Sequence, residues 1–349
     1  MQVHAYTSFS YSYLNRARVL AETLRRLHPE WVLWAVITDK EPPRFSFDIT
    51  SENFDHVLTA EQLFGDETES WLFGMDVVEA CTAVKGEALK RILDAPGVGA
   101  VLYFDPDIAA FSDMGSLVHE LERSSLLLTP HQTDPEPRGS AQAIMDNEIS
   151  ALQYGAFNLG FIGVRNDPEG RRFAGWWDDR LRDWCHDRLD IGVFVDQKWC
   201  NLVPCFFDDV KIIRDPGCNV ASWNLSQRLI ETSAAGEVLV NGTPLKFYHF
   251  TKLGPIGDAM TQRYAGDNAN VFEIWWWYAR RVEAHTDAGI PTRWWYYGVF
   301  DNGVSIPKEA RVLYRSRKDL RDAFPKPFSV SSGYYDWCIS NGIEMNTPH

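Results

Sequence analysis

Positive charge is in deficit in this sequence: 34 Lys and Arg face 48 Asp and Glu, a formal net charge of −14. That balance leaves no basic stripe of the kind a general nucleic-acid binder needs, so no nucleic-acid partner is expected. No apolar run reaches the roughly 18 residues of a membrane-spanning helix. The N-terminus, with His4 in a strand-like start, lacks the basic and apolar regions of a signal peptide. Cysteines are few and scattered (Cys81, Cys185, Cys200, Cys205, Cys218, Cys338), with no C-x-x-C pair and no zinc-like spacing. A reduced cytosol is therefore the expected compartment. The first strand-to-helix turn carries no G-x-G-x-x-G, which removes the usual dinucleotide fingerprint. Internal repeats and low-complexity segments are also missing.

What is present is an ordinary globular composition, 45% apolar and 23% charged over 349 residues, enough for one large α/β domain with a C-terminal appendage. The pattern divides at about 1–285 and 286–349. Aromatics are abundant, fourteen of them Trp, and many sit in adjacent pairs that suit packing at least as well as sugar stacking. Val3 to Thr7 reads as a first strand, Ala17 to Leu27 as a helix ended by Pro29, and Trp31 to Thr38 as a second buried strand closing on Asp39. Strand, helix, strand at this spacing opens a doubly wound sheet. Val77 to Leu93 predicts one helix, in which Lys85 lies beside the apolar stripe. It is either a snorkelling surface lysine or a phosphate contact.

The chain is organised around Val101-Leu102-Tyr103-Phe104-Asp105-Pro106-Asp107-Ile108. Four apolar residues make a short buried strand, and Pro106 ends its ladder because it offers no backbone N–H. Asp105 and Asp107 are delivered to the strand end, where an open α/β sheet places its ligand site. A hard divalent cation that keeps water and phosphate oxygens in its shell needs only one or two protein carboxylates. Further apolar segments also end on polar groups. Ser125 to Thr129 leads to His131, and 132–142 reads as a mobile loop over the site. Phe157 to Val164 carries Asn158 and Gly160; an Asn in so apolar a run needs hydrogen-bond partners or a ligand, and the glycine suggests a close approach. Residues 168–190 read as an acidic, Trp-rich helix, and Val193 to Trp199 as a strand delivering Asp196 and Gln197. Asp196 has a simpler reading as a helix N-cap. Pro244 to Phe250 reads as the last core strand, with His249 near its end. Val271 to Val282 is helical, and 308–326 gathers Lys308, Arg311, Arg315, Arg317, Lys318 and Arg321 among acidic residues. That cluster is a solvated helix or a contact for a membrane surface or anionic acceptor.

Taken in order, YFDPDI, FNLGFIGV, DQKWCNLVP and FYHFTKLGP resemble the motifs of nucleotide-sugar-dependent glycosyltransferases of the GT-A fold, nearest the bacterial and glycogenin-like family 8 type. TAVK at 82–85 is similar to that family's lysine-bearing helix, and the likeness covers roughly residues 1–255. The resemblance implies a Rossmann-like, mixed and mostly parallel sheet flanked by helices, followed by a C-terminal extension. It implies a cytoplasmic enzyme, at the inner face of the membrane if 308–326 makes contact there, working in bacterial surface polysaccharide synthesis. The donor would be a nucleoside diphosphate sugar, UDP-sugar first, and the acceptor a glycan or lipid-linked hydroxyl. A divalent metal, Mn²⁺ or Mg²⁺, would sit on Asp105, Asp107 and His249. Asp196 and Gln197 would stand at the reacting carbon, Asp196 orienting the donor sugar in a retaining enzyme or acting as base in an inverting one. Asn158 would bind sugar hydroxyls and Lys85 the phosphates, and Tyr6, Thr7 and Asp39 would contact the nucleoside. His131, Trp223 and Asn224 fall to the acceptor side. After the histidine the family's G-x-x-K-P-W is replaced by Thr251-Lys252-Leu253-Gly254-Pro255, which makes Lys252 the candidate phosphate clamp. Two alternatives are a sugar-phosphate nucleotidyltransferase, whose Gly-rich basic loop is missing from residues 6–18, and a non-catalytic carbohydrate-binding protein, which leaves the acidic pair unexplained.

Overall fold

The computed structural model describes residues 1–345. Nine strands matter to the site: β1 (Val3–Phe9), β2 (Val32–Ile37), β3 (His56–Thr59), β4 (Ala100–Phe104), β5 (Ile108–Ala110), β6 (Leu126–Pro130), β7 (Phe157–Arg165), β8 (Val210–Ile212) and β9 (Phe247–His249). Seven of them form one open sheet in the order β8-β6-β7-β4-β1-β2-β3. β1 runs parallel to β2 and β4, β2 to β3, and β8 to β6. β7 is antiparallel to both β4 and β6. The architecture is thus the expected mixed, mostly parallel sheet with helices packed against it. The central strands are apolar on both faces because both faces are covered; every residue of β1 and β4 is buried.

The direction of β7 decides what reaches the cleft. Because it runs against its neighbours, its first residues, Phe157 to Gly160, lie level with the carboxyl end of β4, and the Asp105 N–H donates to the Gly160 carbonyl at 2.8 Å. At Pro106 the chain turns out of the main sheet, closed by a bond from the Ile108 N–H to the Asp105 carbonyl at 3.1 Å. β5 then pairs antiparallel with β9, placing His249 opposite Ile108. The 244–250 segment is therefore not a strand of the main sheet. It closes a separate two-stranded ladder, and that ladder carries the histidine to the aspartates.

Other expectations are corrected in the same way. The 77–93 helix is two, Val77–Ala83 and Lys85–Leu93, meeting at Val84. The 168–190 helix ends at Trp184. Val193–Phe194 makes only a two-residue ladder, after which Val195 adopts a positive φ of 36° and turns Asp196 inward. A β-branched residue there is strained, so neighbouring structure must hold it.

Residues from Tyr297 to Ile343 contribute to the core. Tyr297, Phe300, Tyr314, Phe328 and Tyr334 share one buried cluster with Phe73, Val101 and Tyr103. The Phe73 ring meets those of Tyr314 and Phe328 at 4.9 Å and that of Tyr334 at 5.3 Å. The basic cluster is two short helices, Lys308–Ser316 and Lys318–Ala323, and much of its charge has partners inside the protein. Arg311 is buried and donates to the carbonyls of Phe73, Met75 and Tyr297 at 3.0, 2.7 and 2.6 Å. Arg315 pairs with Glu79, Arg317 with Asp319 and Lys318 with Asp322. Lys308, Arg317 and Lys318 remain exposed. Among the described residues no helix is long and apolar enough to cross one.

Candidate active site

A cleft of about 660 Å³ opens where β4 and β6 end and β7 begins. Its walls include Lys85, Asp105, Asp107, His131, Asn158, Asp196, Gln197, Trp223, His249 and Lys252, contributed by seven separate segments of the chain.

Lys85 forms the floor. Its side chain is 2% exposed, and its Nζ donates to Asp105 Oδ1 at 3.1 Å, Asp196 Oδ2 at 2.8 Å and the Leu159 carbonyl at 3.2 Å. The same ammonium lies 4.1 Å from the centroid of the Tyr103 ring. This is no snorkelling surface lysine: it starts the second of the two helices and points under the sheet edge. Burial alone would lower its pKa, but the two carboxylates outweigh burial and hold it above the ordinary lysine value. Asp196 is held above the usual carboxylate range by burial, only partly relieved by Lys85, which it shares with Asp105. Tyr103 was missed by the motif reading although it lies two residues before Asp105 on the same strand face. Its hydroxyl donates to Asp105 Oδ1 at 2.6 Å.

Asp107 and His249 form the second group. His249 Nε2 lies 3.0 Å from Asp107 Oδ1 and 3.7 Å from Asp105 Oδ2. One ligand atom from each of Asp105, Asp107 and His249 lies within 4.8 Å of the others. Burial opposes charge on both ionising partners, yet their mutual attraction prevails: His249 is raised and Asp107 lowered from their ordinary values.

Asn158 and Gln197 stand beside them but are engaged within the protein. Gln197 Oε1 accepts from Asn158 Nδ2 at 3.2 Å and from the Leu159 N–H at 3.3 Å, and its Nε2 donates to the Tyr154 carbonyl at 3.2 Å. Asn158 Oδ1 accepts from the Gly160 N–H and from Asn219, a residue no motif signalled. Asn158 lines the cleft where a sugar contact was expected, with its amide already engaged by these neighbours. His131 lines the cleft with its pKa lowered to about 4 by burial, so its ring is neutral. Trp223 meets the rings of His131 and His249 edge-on, with centroids 5.4 and 5.2 Å away. Lys252, in a left-handed backbone conformation (φ 56°), is exposed at the cleft's lip.

Four expected contacts lie outside the cleft lining. Tyr6 is buried and donates its hydroxyl to the Lys85 carbonyl at 3.0 Å, bracing that helix start. Thr7 is 1% exposed and faces Leu20, Leu24 and Leu33 beneath the sheet. Both precede the end of β1 by too many residues to reach its edge. Asp39 is covered by the C-terminal segment: it accepts from the backbone N–H groups of Tyr296, Lys40 and Tyr11 at 2.8, 3.0 and 3.3 Å, and burial raises its pKa to about 7. Asn224 donates behind the wall to the carbonyls of Asn219 and His131 at 3.0 and 3.4 Å. The 132–142 segment is tied down through Glu136, which accepts from Asn147 at 2.7 Å and Ser226 at 2.6 Å.

No family profile matches the chain. Two uncharacterized proteins of Bacillus subtilis (strain 168) are similar to parts of it. YfnF is 29% identical over 181 residues, 50% of this chain and 57% of that protein. YfnD is 28% identical over 151 residues, 43% and 45% respectively. The matched stretches thus span about half the length of these curated relatives. Among solved structures, the galactosyltransferase LgtC in complex with donor and acceptor sugar analogs aligns with 84% of this chain and 99% of its own, at TM-score 0.48 and 14% identity. The glycosyltransferase GlyE of Streptococcus pneumoniae TIGR4 covers 86% of this chain and 66% of its own, at TM-score 0.45 and 14% identity.

Proposed function

We propose that the protein is a glycosyltransferase that moves a sugar from a nucleoside diphosphate donor, a UDP-sugar first, to a hydroxyl of a glycan or lipid-linked acceptor. The observation that carries this reading is the convergence of Lys85, Asp105, Asp107, Asp196 and His249, widely separated in sequence, on one cleft at the sheet edge. Two carboxylates and an imidazole within 4.8 Å of one another fit Mn²⁺ or Mg²⁺ with positions left for water and diphosphate oxygens. Such a cation supplies Lewis-acid stabilisation of the charge that gathers on the leaving diphosphate.

The protein's own groups do the rest. Lys85 fixes the Asp105 and Asp196 carboxylates at the cleft floor, where Asp196 orients the donor sugar by taking its hydroxyls. Lys252 has no carboxylate partner among the described residues and sits where it can meet a phosphate. Gln197, bonded to Asn158 and Tyr154, positions the wall beside Asp196. The motif resemblance favours retention, and a setting in bacterial surface polysaccharide assembly on the cytoplasmic side.

The test is UDP release from a panel of UDP-sugars with Mn²⁺, alongside melting with UDP and Mn²⁺ together. Release with one of the sugars, lost on adding EDTA, and a raised melting temperature are expected, since a ligand selective for the folded state stabilises it. A protein that neither releases UDP nor gains stability from UDP and Mn²⁺ rules the reading out.

A further inference from the structure

Asn158 lies second in β7 and is 7% exposed. The orientation of its amide is fixed by the backbone: the Gly160 N–H, which can only donate, points at Oδ1 from 3.1 Å. Asn219 Nδ2 donates to the same oxygen at 2.9 Å. His249 Nδ1 lies 3.2 Å from that oxygen, so it must carry the proton of the bond. Its Nε2 is then the nitrogen presented to Asp107 at 3.0 Å and Asp105 at 3.7 Å. On the other end of the amide, Asn158 Nδ2 lies 3.3 Å from His131 Nε2 and 3.2 Å from Gln197 Oε1. An NH₂ group only donates, so His131 Nε2 accepts and its proton sits on Nδ1. One amide therefore sets a proton on Nδ1 of both neighbouring histidines, by accepting from one ring and donating to the other. A Cβ at Gly160 would stand 2.5 Å from His249 Cε1, so the bare backbone there is what lets the ring reach this position.

We infer that Asn158 is a positioning residue for the cation site, holding His249 with Nε2 turned toward Asp105 and Asp107. The inference rests on the reading of Asp105, Asp107 and His249 as cation ligands. Both ends of the amide are engaged by neighbours in the cleft wall. A partner that fixes the tautomer and direction of a ligating imidazole typically changes metal affinity 10–100-fold when removed.

Two measurements on the full chain test this. The first is Mn²⁺ affinity in the absence of any sugar nucleotide. Asn158→Leu, which removes the oxygen, is expected to bind Mn²⁺ about 10–100-fold more weakly. Asn158→Asp, which keeps an acceptor facing His249 Nδ1, is expected to bind at least as tightly as the wild type. Equal affinity in the wild type and Asn158→Leu, or an equal loss in both variants, overturns the inference. The second needs no metal and no variant: the ring ¹⁵N shifts of His249 in the wild-type protein at neutral pH. A protonated Nδ1 is expected, whether or not Nε2 beside Asp107 also carries a proton, and an unprotonated Nδ1 overturns the assignment. If the wild type binds no Mn²⁺ at all, the functional reading fails, while the tautomer measurement still decides what Asn158 does to His249.

Discussion

On one side of the cleft Asp105, Asp107 and His249 turn ligand atoms toward one another within 4.8 Å. On the other, Asn158, Gln197 and Asn224 have committed their amides to neighbours inside the wall. Both sides consist of polar residues delivered by buried backbone, and in sequence they look equally like ligands. The difference is who their partners are. Like-charged carboxylates cannot satisfy each other, and on the proposed reading a cation between them does so. Amides carry donor and acceptor together and can close a network without any ligand. On the proposed reading the first side is chemistry and the second is scaffold.

Removing charge from the first side is the sharpest way to break that contrast. Asp107→Ala is expected to lower Mn²⁺-dependent UDP release by about three powers of ten, the scale of several kcal/mol of lost charge stabilisation. Melting should change little in the absence of metal, because His249 loses a partner but a buried acid is removed with it. Retained turnover would put the chemistry elsewhere.

Lys85→Met strikes the floor shared by both sides. It leaves Asp105 and the buried Asp196 without their common cation, a change that typically destabilises by about 3–5 kcal/mol. Urea unfolding should show this loss, and Lys85→Arg should not restore it, because the larger guanidinium cannot sit 4.1 Å over the Tyr103 ring and bond the Leu159 carbonyl in the same space. A variant as stable as the wild type would mean the lysine is not the keystone of the floor.

The smallest effect comes from the scaffold side and concerns pH. His131 has a folded-state pKa of about 4 against an ordinary 6.5. Between those values the unfolded chain binds a proton that the folded one refuses, so stability rises with pH across that window. The contribution is fully present above about pH 6.5 and lost as pH falls toward 4, worth up to about 3 kcal/mol. His131→Gln should flatten this part of the stability–pH curve. An unchanged slope would show that the ring is not held neutral by its surroundings.

The first side was legible in the sequence because its signals are local or chemically specific. Pro106 ends the strand, Asp105 and Asp107 flank it, and a lone histidine follows a late aromatic run. The scaffold side was not legible, because its meaning depends on the direction of β7. A strand of Phe, Leu, Ile and Val reads the same in either sense, and only antiparallel pairing brings Asn158 to the cleft with Gly160 behind it. Lys85 was ambiguous for a related reason: helical periodicity places a residue beside a stripe but does not say whether its tip reaches water or a carboxylate. Tyr6, Thr7 and Asp39 were misplaced because a strand's end was judged from its apolar run. The strand runs on to Phe9, past Tyr6 and Thr7, and Asp39 is capped by Tyr296, more than 250 residues away. Nothing in the composition of 286–345 announces that it completes the core around Phe73.

The most direct test of the account is anomalous diffraction from crystals grown with Mn²⁺ and UDP. A Mn²⁺ peak bounded by Asp105, Asp107 and His249 Nε2, with His249 Nδ1 still on Asn158, is the predicted result. A peak at another place in the cleft, or none at full nucleotide occupancy, would contradict it.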